Sequence, residues 1–144
     1  MYHNASGAAA AERTHVVKVS HTASITATAG RVLIAAIFLL SGFSKVTAPA
    51  ATLGYIQSVG LPFPEAALGV AVLVELVGGS LLILGYRVKV VAAVLAVFSL
   101  ATAFSFHANL ADQNQFIHFF KNVAMAGGLL QIVAFGGGRF SLKR

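Results

Sequence analysis

The residues of this 144-residue chain best suited to chemistry are the few ionisable and amide side chains set among apolar ones. Glu75 lies in the middle of AALGVAVLVELVGGSLLILGY. Lys121 and Asn122 lie inside FIHFFKNVAMAGGLLQIVAF, with His118 one helical turn before Asn122. Lys45 and His107 close two further apolar stretches. Lysine, histidine and asparagine donate hydrogen bonds to carbonyl oxygens, and a buried glutamate or a histidine can hold and pass on a proton. Glu75 and Lys121 are therefore the candidate catalytic pair. Lys45, His107, His118 and Asn122 are candidate ligand-binding groups.

The elements that must position these groups are membrane helices. Hydrophobic residues make up 58% of the chain and charged residues 10%, and the mean hydropathy is +0.85. A water-soluble domain carries about a quarter charged residues, so the solvent for most of this surface is lipid. Apolar stretches fall at about 25–45, 66–86, 90–106 and 116–135. Arg31 and Lys45 flank the short uncharged core of the first and are expected to snorkel to opposite interfaces. Pro49 ends that helix. Leu53, Ile56 and Val59, at spacing three, predict a short amphipathic helix on the membrane surface, closed by Gly60, Pro62 and Pro64. The expected fold is an all-α membrane protein, a four-transmembrane-helix bundle with a short interfacial helix between spans one and two. Residues 1–24 read as a polar disordered tail and not a secretory signal, 25–137 as the membrane domain, and 138–144 as a basic tail.

Charge sets the expected orientation. Arg13, Lys18, Arg31, Arg87, Lys89, Arg139, Lys143 and Arg144 fall on one side of a four-span bundle, leaving Lys45 and Lys121 toward the other. The excess of positive charge on one side predicts both termini in the cytoplasm. Lys45, Glu75, His107, His118, Lys121 and Asn122 would then converge in the outer half of the bundle. Ala67, Ala71, Glu75 and Gly79 share a helix face with Gly78 beside it, a small-residue face suited to close helix packing. AMAGG in the fourth span is a second such face.

Several functions are disfavoured. The net charge of +6 is spent at the ends of apolar stretches, with no basic run interleaved with aromatics, so no nucleic-acid partner is expected. The chain has no cysteine, which excludes thiol catalysis and cysteine-ligated clusters. No metal site is expected: His3, His15 and His21 are irregularly spaced, and His107 and His118 sit at the interface, where bundle haem is disfavoured. No internal repeat of the transporter kind is present.

Two readings of the polar cluster stay open. Glu75 and Lys121 can form an ion pair that fixes helix register. Alternatively they can face a ligand such as a quinone, whose two carbonyls accept hydrogen bonds and whose redox chemistry moves protons. Phe38, Phe43, Phe104, Phe106, Phe119 and Phe120 are candidate walls of such a pocket.

GRVLIAAIFLLSGFSKV with its G-x-x-K ending at Lys45, the VGLP turn at 59–62, ELVGGSLLILGYR from Glu75 and KNVAMAGGLLQ from Lys121 occur in an order and spacing that resemble the DoxX family of small membrane proteins. The resemblance covers about residues 30–137. It implies a four-helix bundle in the bacterial cytoplasmic membrane and a part in quinone-linked membrane oxidoreductase assemblies, with Lys45, Glu75, Lys121 and Asn122 at the family's recurrent polar positions. The expected function is thus a subunit or accessory of a quinone-linked oxidoreductase, partnered by lipid, by an oxidoreductase subunit or by a second copy. A non-enzymatic membrane scaffold and a small-metabolite transporter are the alternatives.

Overall fold

The computed structural model describes residues 21–142 as five helices: α1 (His21–Thr47), α2 (Pro49–Ser58), α3 (Pro64–Leu84), α4 (Val88–Phe106) and α5 (Gln113–Phe135). The expected tail up to residue 20, with His3 and His15, lies outside the described residues. His21 and the three residues after it belong to α1, so that helix starts before the boundary read from hydropathy. Its polar first turns are tolerated because Thr26 and Thr28 each donate to the carbonyl one turn back.

Four of the helices are long and apolar enough to span a membrane. At 1.5 Å per residue they run from about 28 to about 40 Å, against a hydrocarbon core of about 30 Å. Their outward faces are apolar: Leu33, Leu40, Leu73, Val97 and Phe104 are all more than half exposed. The polar residues Ser24, Arg31, Glu75, Ser99 and Asn122 are buried instead. That inversion of the soluble pattern is what a lipid solvent requires, because unpaired polar groups are costly in hydrocarbon.

Local signals set the helix ends. Thr47 donates back to Phe43 and Ser44, satisfying terminal carbonyls of α1, and Pro49 takes the first turn of α2, where its missing N–H costs nothing. Gly60 has φ +74°, and Phe63 adopts a left-handed conformation just before Pro64 opens α3. Gly85 and Arg87, both left-handed, make the tight turn into α4. Asp112 caps α5 by accepting from the Gln115 N–H at 2.8 Å.

The bundle is two antiparallel pairs, α1 with α3 and α4 with α5, joined chiefly along α3 and α4, with a slight contact between α1 and α5. Glycines set the close approaches. A Cβ on Gly79 would meet Leu39 at 2.9 Å, and one on Gly78 would meet Leu95 at 2.9 Å. The Gly79 part of the small-residue face around Glu75 thus packs on α1 and its neighbour Gly78 on α4, whereas Ala67 and Ala71 of the same face border a cavity. In the AMAGG stretch Ala126 is in the core and Gly128 admits Ile34.

The packed core, including Ala35, Leu82, Ala92, Leu95 and Leu129, fills the half of the bundle near the chain termini. Arg31 lies there and does not snorkel. It is fully buried, donating from Nη1 to Leu82 O at 3.0 Å and from Nη2 to Phe140 O at 2.7 Å and Thr28 Oγ1 at 3.3 Å. Leu82 O is among the last carbonyls of α3, so the guanidinium caps that helix where its dipole favours a cation. After α5, Gly137 is buried, the Phe140 ring meets His21 edge-on, and Ser141 lies against Gly85. The opposite half, hereafter the α2 end, is where the bundle opens.

Candidate functional site in the open half of the bundle

Gly42 brings α1 against α3 at the level of Glu75; a Cβ there would lie 3.1 Å from Glu75 Cβ and 2.8 Å from Leu76. One turn along α1 from Ser41, the Lys45 side chain folds back along the same face. Lys45 Nζ is 2.9 Å from Glu75 Oε1 and 2.8 Å from Ser41 Oγ, and Ser41 in turn donates to Glu75 Oε1 at 3.1 Å. Glu75 is 4% exposed, and its Oε2 is buried with no hydrogen-bond partner among the described residues.

The triad lines a cavity of about 870 Å³ at the α2 end. All five helices contribute walls: Phe38, Ser44, Ala67, Ala71, Phe98, Thr102, Phe106 and Met125 among them, with Ala51, Thr52, Tyr55 and Ile56 of α2. Lys121, Asn122 and His107 also border it. Of the six candidate residues, Lys45, Glu75, His107, Lys121 and Asn122 therefore share one cavity, although they come from four helix segments.

His118 is placed differently. It is not part of the lining; it stacks on His107 with ring centroids 5.0 Å apart and accepts at Nδ1 from Lys121 at 3.0 Å. His107 Nδ1 is 2.7 Å from Gln115 Oε1, and Asn122 Nδ2 donates to His118 O at 3.0 Å. The expected Glu75–Lys121 ion pair does not form. Lys45 is the cation on Glu75, because Gly42 brings α1 into contact with α3, whereas Lys121 lies on α5 and is held by His118. The predicted aromatic wall is also corrected: Phe38 and Phe106 line the cavity, Phe119 is buried against Phe104, and Phe43, Phe104 and Phe120 are exposed on the outer surface.

Ser41, Thr102, Phe98 and the α2 residues Ala51, Thr52 and Tyr55 were not singled out by sequence. Ser41 had a usable signal, since it sits one turn before Lys45 on the same face. Phe98 and Thr102 had none, because either side of α4 is apolar enough to face lipid.

The α2 helix forms one wall of the cavity. It follows α1 and precedes α3, and it reaches the α4–α5 pair through Tyr55, whose hydroxyl donates to Phe106 O at 3.1 Å and whose ring lies 5.4 Å from that of Phe106. Ile56 is buried under it, as the amphipathic spacing requires, whereas Val59 is exposed beyond its end.

Four apolar helices around a cavity with a buried glutamate paired to a half-buried lysine define a small polytopic membrane protein with an internal polar site. The family model for DoxX matches residues 26–108. The chain is 33% identical over 114 residues to the inner membrane protein YqjF of Escherichia coli K12, covering 79% of this chain and 86% of that protein. It is 32% identical over 119 residues to the inner membrane protein YphA of the same organism, covering 79% and 85%. The chain belongs to the DoxX family. No solved structure gives a significant match.

Proposed function

We propose that the protein binds a quinone or a similar lipophilic redox molecule in the cavity at the α2 end, as a subunit or accessory of a membrane oxidoreductase. The observation that carries this reading is the placement of the Lys45–Glu75–Ser41 triad in the wall of a largely apolar cavity of about 870 Å³. Small-molecule sites occupy about 300–1,000 Å³, with mostly apolar walls and a few polar groups that fix orientation. Lys121 and Asn122 supply donors to ring carbonyls from another part of the wall, which His107 also borders with its Nδ1–H engaged by Gln115, and Glu75 holds or relays the proton. The relatives' names and the charge distribution support placement in the cytoplasmic membrane with both termini in the cytoplasm.

The test is ligand identification on protein extracted in mild detergent, by native mass spectrometry and by absorption before and after dithionite. A co-purifying quinone, or one taken up on addition, supports the reading. A colourless protein that carries lipid alone and ignores added quinone sinks it, and the Lys45–Glu75 pair then stands as a helix-packing element of a scaffold.

A further inference from the structure

The two oxygens of Glu75 are not equivalent, and the difference bears on which redox form of a ligand the cavity selects. Oε1 accepts from the Lys45 ammonium and from the Ser41 hydroxyl. Oε2 accepts from nothing among the described residues, although it is buried. An ionised carboxylate oxygen without a donor is among the most costly atoms to bury, and native structures leave few of them without a functional reason. The terminal torsion of a glutamate is soft, so a small turn of the carboxyl presents Oε2 to the cavity that Glu75 borders. What Oε2 lacks is a hydrogen-bond donor. A quinone carbonyl cannot supply one, because it only accepts; a ring hydroxyl can.

The geometry points to a site that prefers the hydroxyl-bearing, reduced form of a ring head group, a hydroquinone, with one ring O–H donating to Glu75 Oε2. The flat apolar walls given by Phe38, Phe98 and Phe106 suit a ring. Lys45 and Ser41 occupy the other oxygen and hold the carboxylate in its accepting role. This inference rests on the reading of the cavity as a quinone site and adds which redox state it holds.

The experiment is a calorimetric titration of the detergent-solubilised full chain, under anaerobic conditions, with decylubiquinol and separately with decylubiquinone. The quinol is expected to bind about tenfold more tightly or better, the size of one hydrogen bond to a charged acceptor. In Glu75→Gln that preference is expected to shrink to about parity. Equal affinity of the parent chain for the two forms overturns the inference while leaving the quinone site standing; that comparison needs no variant. A quinol preference that persists in folded Glu75→Gln also overturns it. Failure of both compounds to bind overturns the quinone reading and this inference with it.

Discussion

Lys45 and Glu75 meet at 2.9 Å across the seam between α1 and α3, and the two are unequally shielded: the lysine side chain keeps 20% of its exposure and the glutamate 6%. Removing the cation therefore harms the fold more than removing the pair. Lys45→Met leaves a buried carboxylate with Ser41 alone and is expected to cost roughly 3 kcal/mol, near the lower end for breaking a buried pair because Lys45 is partly exposed. Lys45→Met combined with Glu75→Leu should recover most of that loss. Thermal unfolding of the single and double variants in detergent checks it; a double variant no more stable than Lys45→Met would show that the pair is not coupled.

Glycines of the same chain should respond differently to one added methyl. Gly42→Ala puts a Cβ 2.8 Å from Leu76 and 3.1 Å from Glu75, so it must push α1 away from α3 at the ion pair. A loss of about 1–3 kcal/mol is expected, as for overpacking elsewhere. Gly127→Ala meets nothing within 4 Å and should leave the melting temperature unchanged or slightly raised. Equal melting temperatures for the two variants would contradict the close α1–α3 approach.

Tyr55 is the side chain that ties α2 to the α4–α5 pair. Tyr55→Ala should loosen the α2 wall of the cavity. The chain has no cysteine, so a single Thr102→Cys in the cavity wall reports access without background. Its labelling by a water-soluble maleimide is expected to accelerate several-fold in Tyr55→Ala, with Tyr55→Phe intermediate because it loses one partly exposed hydrogen bond of about 1 kcal/mol. An unchanged labelling rate would mean that α2 does not limit access.

Arg31 makes a prediction at the other end. Arg31→Leu leaves Leu82 O and Phe140 O without their donor, at about 1–3 kcal/mol for the buried Leu82 acceptor and less for Phe140 O, which water can reach. The residues after α5 should then detach first, so limited proteolysis is expected to cut after Phe135 in the variant under conditions that spare the parent chain. Identical cleavage of both would argue that Arg31 does not hold that segment.

Sequence revealed the membrane class, the four spans and the family because each depends on composition, length and the position of prolines and cations along the chain. It also revealed that Lys45, Glu75, His107, Lys121 and Asn122 belong together, because depth in a bilayer can be counted from helix ends. Who touches whom was not legible. Glu75 took Lys45 and not Lys121 because Gly42 draws α1 onto α3, and one-dimensional spacing does not say which helix packs beside which. Arg31 looked like a snorkelling flank for a similar reason. Its acceptors, a helix end on α3 and a carbonyl beyond α5, are distant in sequence, and a lone guanidinium gives no hint of them. The cavity itself was invisible, since a wall facing a cavity and a wall facing lipid are written with the same apolar residues.

The tie between Arg31 and Phe140 also orders the protein's birth. Helix α1 carries a guanidinium whose shortest hydrogen bond is made to a carbonyl 109 positions downstream. Until that stretch has been synthesised, the arginine must keep company with water or lipid headgroups at the bilayer edge. The bundle therefore cannot close helix by helix as it emerges. Helix α1 waits, unfinished, for a stretch translated long after it.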